Sequence, residues 1–327
     1  MKPLKYRNDW VSGTAFILII IAGLFLGAAQ FFQPQSGNVA QSGGVQRDLL
    51  IAGIHSLTIN YPDGKVNLSA GTGDSITFRE YTMLGLAEKD NLSVITENGI
   101  ATVSVLNPKG FPFNLFNFTN PRLEVTVPQS LLDNLKSIQI STTNGDIDLP
   151  NLKTDQLEIK TASGDIKNGR LTATNAVIST ISGSISDLEI QADQLDLATV
   201  SGKISTAKLT GGTLKVRSVS ESMDHLVIDA KSLTMNSISG DIKADVNSPT
   251  NSISTTSGNI QIKLGPSISS GEFKSISGNV GLIIPDDTVE IEYSTTSGNI
   301  KINTVQIRNN GRISVSTTSG NIDINPQ

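Results

Sequence analysis

The sequence predicts an all-β chain. It reads as a parallel β-solenoid (β-helix) of about ten coils of ~19 residues, preceded by an N-terminal β-cap region and, before that, one transmembrane helix. Three observations predict it. A short motif, Ser/Thr-x-Ser-Gly-x-Ile, recurs through the second half of the chain, the residues between its copies alternate apolar and polar, and residues 11–32 carry no charge.

The motif begins as Thr142-Thr143-Asn144-Gly145-Asp146-Ile147 and returns at Thr161 to Ile166, Thr180 to Ile185 and Thr199 to Ile204. A divergent copy runs from Ser218 to Met223, and five more follow at Ser237 to Ile242, Thr255 to Ile260, Ser275 to Val280, Thr295 to Ile300 and Thr317 to Ile322. Its glycines, with Glu221 standing in for one of them, are spaced by 19 residues five times and then by 18, 20, 20 and 22. Two residues after the glycine position the side chain is apolar in all ten copies. Seven after it the first five copies carry Leu152, Leu171, Ile190, Leu209 and Ile228, and pairs such as Leu157 and Ile159 follow with polar residues between them. Period two marks strands with one buried face. One such unit cannot cover its own apolar face, but units stacked about 4.8 Å apart share a continuous core, and ten make a rod roughly 48 Å long. Right-handed crossovers are the default for parallel connections.

Each column at the Ser-Gly corner has a physical reading. Glycine is expected there because a tight bend often needs φ > 0. The next position holds Asp146, Asp165, Ser184, Lys203, Asp241, Asn259, Asn279, Asn299 and Asn321, and Asn and Asp tolerate left-handed backbone and close turns with their side chains. A calcium ladder does not fit, because Lys203 occupies that column and Asn supplies no charge. The hydroxyls three residues before the glycine must find partners once buried, and the backbone at the bend is the expected acceptor. The residues two before the glycine include Ile181, Val200, Val219, Ile238 and Ile276, with Ala162, Thr256, Thr296 and Thr318 in the same column. They make an apolar stripe down one side of the rod. Two readings stand: β-propensity on a half-exposed or inward-turning bend, or a docking surface.

Ahead of the rod, the run Val11 to Phe32 is about 33 Å long as a helix, enough to span a ~30 Å hydrocarbon core. Lys2, Lys5 and Arg7 precede it against one Asp9, so the positive-inside rule puts residues 1–10 in the cytoplasm and the rest of the chain outside. Trp10 and Phe31-Phe32 fall where an interfacial aromatic belt belongs. Gly27-Ala28-Ala29 also fits a signal-peptide cleavage site, although the apolar run is longer than a typical signal core. Residues 33–50, rich in Gly, Ser and Gln, read as a flexible linker.

Residues 51–140 read as an irregular β region of cap coils, and 141–327 as the solenoid. Strand-like alternation occurs at Ile54 to Ile59 and Lys65 to Leu68 around Pro62-Asp63-Gly64, and again at Ser75 to Tyr81, Leu92 to Thr96, Ala101 to Leu106 and Leu123 to Val127. A cap keeps the first coil from exposing core and strand edges. Phe111, Phe113, Phe116 and Phe118 lie between two of these strands, as an end plug or a contact loop. The chain ends with Asn325-Pro326-Gln327 directly after its last repeat, which predicts an open C-terminal coil able to self-associate.

Composition narrows the function. The chain has 327 residues, no cysteine, two histidines (His55 and His225), 17% charged residues and a net charge of −5, which argues against disulfides, thiolate metal sites and nucleic-acid binding. Asp286-Asp287, after Pro285, reads as a turn rather than an acid pair. Nothing calls for a cofactor, and no phosphate loop, nucleophile elbow or zinc motif is present.

Taken together, the anchor, the opening Leu57-Thr58-Ile59 with Gly64-Lys65-Val66, the Leu123-Glu124-Val125-Thr126-Val127-Pro128 strand and the Ser-Gly-Asp/Asn-Ile repeats resemble the bacterial membrane-anchored "putative adhesin" family. The resemblance covers roughly residues 50 to 327 and implies a β-strand-repeat protein of the cell envelope, with no catalytic residues to carry over. The expected function is a non-catalytic, adhesin-like binding or scaffold module outside the membrane, whose partners are the lipid bilayer and an envelope protein or glycan. A regulatory partner of an envelope-stress or membrane sensor system is the alternative, and Gly23-Leu24-Phe25-Leu26-Gly27 offers a helix-pairing pattern for it. A polysaccharide-active β-helix enzyme would need clustered carboxylates, which the outward positions do not supply.

Overall fold

The computed structural model describes residues 46–82, 85–86, 92–105, 121–285, 290–303 and 311–327. In the repeats, the alternation becomes two stacked columns. Ile147, Ile166, Ile185, Ile204, Met223, Ile242, Ile260, Val280 and Ile322 are fully buried, and each pairs in parallel with its counterpart one turn away. A second column, Ile140, Ile159, Ile178, Leu197, Val216, Met235, Ile253, Phe273 and Val315, is equally dry and equally in register. The result is a parallel β-solenoid of about nine turns; ten corner motifs enclose nine intervals. Each fully buried aliphatic side chain contributes about 1.5–3 kcal/mol relative to exposure.

The N-terminal end changes the mode of pairing. Strands Ser56–Asn60 and Lys65–Gly71 do not pair with each other as a hairpin would. They form one coil, lying against Ser137–Asn144 and Ile147–Asp148 on one side and against Ile100–Val105 and Arg122–Pro128 on the other. Tyr61-Pro62-Asp63-Gly64-Lys65-Val66 is thus a degenerate motif copy, with Val66 paired to Ile147. Beyond this coil the ladder turns antiparallel. Leu92–Glu97 folds onto Ile100–Val105 through Asn98-Gly99, both at positive φ (49° and 76°), as a two-residue hairpin turn requires. Ser75–Thr82 runs antiparallel to Arg122–Pro128, and Gln46–Leu50 to Ser75–Thr82. Residues 46–50, expected at the end of a linker spanning 33–50, are therefore a strand, held by pairing and by Leu49 packed against the core. Tyr61 donates to Glu80 at 2.9 Å and ties this cap to the first coil. One short helix, Gln129–Leu132, buries Leu131 and Leu132 before the regular coils begin.

At the other end, chain order and stacking order part. Arg312–Ser319 and Ile322–Pro326 stack directly on Ser270–Ser275 and Val280–Ile284. Glu290–Ser297 and Ile300–Ile302, earlier in the chain, lie outside them. The open end expected of the C-terminal coil therefore belongs to residues 290–302. Side-chain character explains the order. Where the two coils are paired, the inner one presents Val315, fully buried, and the outer one Tyr293, left 50% exposed.

Among the described residues no helix is long and apolar enough to cross a membrane. Residues 11–32, where the sequence predicts one, lie outside them, as do Phe111, Phe113, Phe116, Phe118 and Asp286-Asp287.

Ile185→Ala, in the middle of the dry column, is expected to cost roughly 2–5 kcal/mol, while Ile300→Ala at the open end costs under about 1 kcal/mol. Urea denaturation followed by circular dichroism measures both. Equal losses would contradict the stacking order at residues 290–326.

Candidate functional site

Two bends of each turn carry the side chains that face outward in columns. The positive φ that the sequence predicts for the glycines of the Ser-Gly corner is not what places them there. In the repeated column from Gly145 to Gly278 the backbone stays out of the left-handed region, and so do the Asn and Asp residues that follow. Close approach is the reason. A Cβ on Gly145, Gly164, Gly183 or Gly202 would lie 1.6–2.0 Å from the carbonyl oxygen of the glycine one turn before. No side chain fits there.

Two further ladders brace the corner. The buried hydroxyls of Thr161, Thr180, Thr199, Thr255 and Ser275 donate to the carbonyls of Gly145, Gly164, Gly183, Gly240 and Gly258 at 2.9–3.2 Å, the backbone partners expected of them. The Oδ1 atoms of Asp146, Asp165, Asp241, Asn259 and Asn279 accept the backbone N–H of the equivalent residue in the next stacked turn at 2.7–2.9 Å. An acceptor is all this bond needs, so Asn and Asp serve alike. From Ser184 to Ser222 the side-chain ladder lapses, and Lys203 Nζ instead meets Asp224 at 2.7 Å. Burial pushes the Asp224 carboxyl up, but hydrogen bonds from Lys203 and His225 outweigh it and hold the group below its usual range.

The stripe lies on the flank of this corner. Ile181, Val200, Val219 and Ile238 are half-buried and Ile276 is 40% exposed. Their carbonyls accept the N–H of Ser201, Ser220, Ser239, Ser257 and Ser319 in the neighbouring turn, which fixes the column in register. Beside it runs an exposed column that includes Ser182, Ser201, Ser220, Ser239, Ser257 and Ser277.

A second bend follows one short strand later. Asn168, Asp187, Thr206 and His225, spaced by 19 residues, adopt φ of 65°, 57°, 51° and 53°. Such backbone costs on the order of 1–3 kcal/mol at a non-glycine residue, and a β-branched Thr206 tolerates it least. Leu149, at the same place in the preceding turn, is outside that region. The next turn is one residue shorter, Met223 pairing with Ile242 but Leu226 with Ala244, so the left-handed residue is the extra one. Asp187, Thr206 and His225 wall a groove of about 620 Å³ that runs across several turns from Asn151 to Val227. Sequence reasoning missed it because the four positions share no side-chain type; the drop in spacing to 18 after Gly240 was its one trace.

Both histidines are exposed: His55 bonds to Ser56 and His225 to Asp224, each at 3.0 Å. Among the described residues no group of three or more His, Asp or Glu side chains is placed to hold a metal ion.

A family model described as Toastrack DUF4097 matches residues 54–225 and 227–325. No curated protein matches the chain. Among solved structures the chain is similar to a "putative adhesin" from Bacteroides fragilis, with 14% identity over 86% of this chain and 96% of that one at a TM-score of 0.40. A "putative adhesin" from Parabacteroides distasonis gives 12%, 85%, 95% and 0.38. A "putative cell adhesion protein" from Clostridium sporogenes gives 12%, 86%, 99% and 0.21. These likenesses are too distant to bear on function.

Gly183→Ala is expected to destabilise the rod by about 2 kcal/mol or more, because backbone on both turns must move. Asp241→Asn stays within ~0.5 kcal/mol of the parent, while Asp241→Ala loses about 1 kcal/mol by removing the acceptor for the Asn259 N–H. Thermal and urea melts of the three variants check the assignment.

Proposed function

The chain belongs to the Toastrack DUF4097 family, and from that premise we propose that it is a non-catalytic binding module: a rigid β-rod held outside the membrane by residues 11–32, displaying a docking surface to an envelope protein. The observation that carries the reading is the stripe. Ile181, Val200, Val219 and Ile238 follow one another in consecutive turns without interruption, a span of about 14 Å at 4.8 Å per turn. Half-exposed aliphatic side chains beside a column of hydroxyls offer an extended partner apolar contact and hydrogen bonds together. The ladders that fix the backbone lower the ordering cost of such a contact, since the surface is formed before the partner arrives.

The placement outside the membrane rests on the charge-free run and on Lys2, Lys5 and Arg7 before it. The non-catalytic reading rests on the outward columns, which consist mainly of Ser, Thr, Asn and charges tied into ion pairs, such as Glu189 with Arg170 and Lys208, rather than clustered carboxylates.

The double variant Val200→Lys/Val219→Lys tests the docking surface. The rod is expected to keep its circular dichroism and melting temperature, because both positions are half-exposed, while its co-purification with the cross-linked cell envelope falls about tenfold or more. Undiminished retention of a folded variant would exclude the stripe as the contact. Topology has a separate test. The chain has no cysteine, so the exposed Ser277→Cys is expected to react with a membrane-impermeant maleimide in intact cells. Labelling only after lysis would remove the extracytoplasmic placement.

A further inference from the structure

The groove at the left-handed bends has a chemistry of its own. Three adjacent columns build it. Exposed Asp187, Thr206 and His225 form one wall, and the buried Leu188 and Ala207 form the base. The other wall is Arg170, Glu189, Lys208 and Val227, the last 51% exposed. The columns repeat once per turn, so the groove runs along the rod, about 19 Å from Asn151 to Val227 at 4.8 Å per turn.

Its charges are held in place and they cancel. Glu189 accepts from Arg170 at 2.8–2.9 Å and lies 3.6 Å from Lys208, so one carboxylate fixes two cations from the turns on either side. Asp187 adds a second carboxylate on the facing wall. Two cations against two carboxylates leave no net field for a polyanion or a polycation. Arginine retains donors beyond the two used on Glu189, Thr206 both donates and accepts, and Asp187 accepts. A ligand that offers hydroxyls as both donors and acceptors satisfies all of them, and its C–H faces match the exposed Val227. The strained bends support a role beyond folding. The preceding turn passes the same point at Leu149 without left-handed backbone and the following turn closes with one residue fewer, so a solenoid turn can be built without it, and strain of this kind is found where it shapes a site.

We propose that this groove binds a linear, uncharged, hydroxyl-rich glycan lying parallel to the rod axis. The proposal shares with the docking reading only the premise of a binding module. The two surfaces lie on different bends, so either fails without the other.

The test uses the full-length chain in a detergent without a sugar headgroup, titrated with cellohexaose and chitohexaose and, as charged controls, with polygalacturonate and a chitosan hexamer. A neutral hexasaccharide is expected to bind with a Kd that changes less than about twofold between roughly 50 and 500 mM salt, where a charge-driven contact would weaken steeply. Asp187→Ala/Lys208→Ala is expected to raise that Kd about tenfold or more while remaining folded, melting somewhat below the parent because Ala tolerates the left-handed backbone at residue 187 less well than Asp, and Val200→Lys/Val219→Lys is expected to leave the Kd as it was. Thr206→Gly, which relieves the left-handed strain, serves as the folding control and is expected to melt higher than the parent. No binding of either neutral sugar, tighter and salt-sensitive binding of a charged control, or undiminished binding by a folded Asp187→Ala/Lys208→Ala variant would each overturn the proposal.

Discussion

Contact between backbones at the Ser-Gly corner is the constraint on which the rest of the rod depends. Stacked turns bring the carbonyl of one glycine to where the Cβ of the next would be. That approach sets the register of both strand ladders leaving the corner, and register decides which side chains enter the dry columns. A slip of one residue would turn Ile166, Ile185 and Ile204 out to water and replace them with polar neighbours. The hydroxyl and Asx ladders stiffen the same point. Buried Thr180 and Thr199 satisfy their hydroxyls on glycine carbonyls, whereas Thr142, in the first copy of the motif, is buried without a partner.

Such a rod has an end problem that a globular domain does not. Each turn is a template for another, and the last is an open edge. The N-terminal end meets this with antiparallel strands that cannot continue the parallel stack. The far end meets it only in part, through the order in which two nearly identical segments stack. Ser294 to Ile302 and Ser316 to Ile324 differ at one residue, Lys301 against Asp323, so the corner motif cannot choose between them. The choice falls to neighbouring positions. Val315 fits a dry column between turns, whereas Tyr293 keeps its ring half in solvent.

The two bends also divide the labour. At the glycine corner backbone contact favours glycine, which fills that column in every copy but the one with Glu221, and the outward neighbours run as an aliphatic stripe from Ile181 to Ile238. At the left-handed bend the side chains vary from Asn to Asp to Thr to His, and there the chain has freedom to build a particular surface. Charges along that groove are exchanged between turns, Arg170 and Lys208 both meeting Glu189. Exposed pairs of this kind add little stability, so their value lies in holding side chains in a defined array.

Much of this protein could be read before any coordinates. The glycine spacing and the aliphatic position two residues on determine a parallel solenoid, because only stacking in register can bury ten copies of the same short strand. Hydroxyl bonding to the backbone followed from the rule that buried polar groups are paired, whereas Asn and Asp, read from the sequence as left-handed turn closers, proved to be acceptors for the N–H of the next turn. The stacking order of the final coils, the reason for the glycines and the groove at Asp187, Thr206 and His225 could not be read in the same way. Each depends on which atoms of distant turns come within a few ångströms of one another. A local pattern records what a residue prefers, whereas the distance from Gly202 to the Gly183 carbonyl, or from Tyr293 to open solvent, exists only once the turns are stacked.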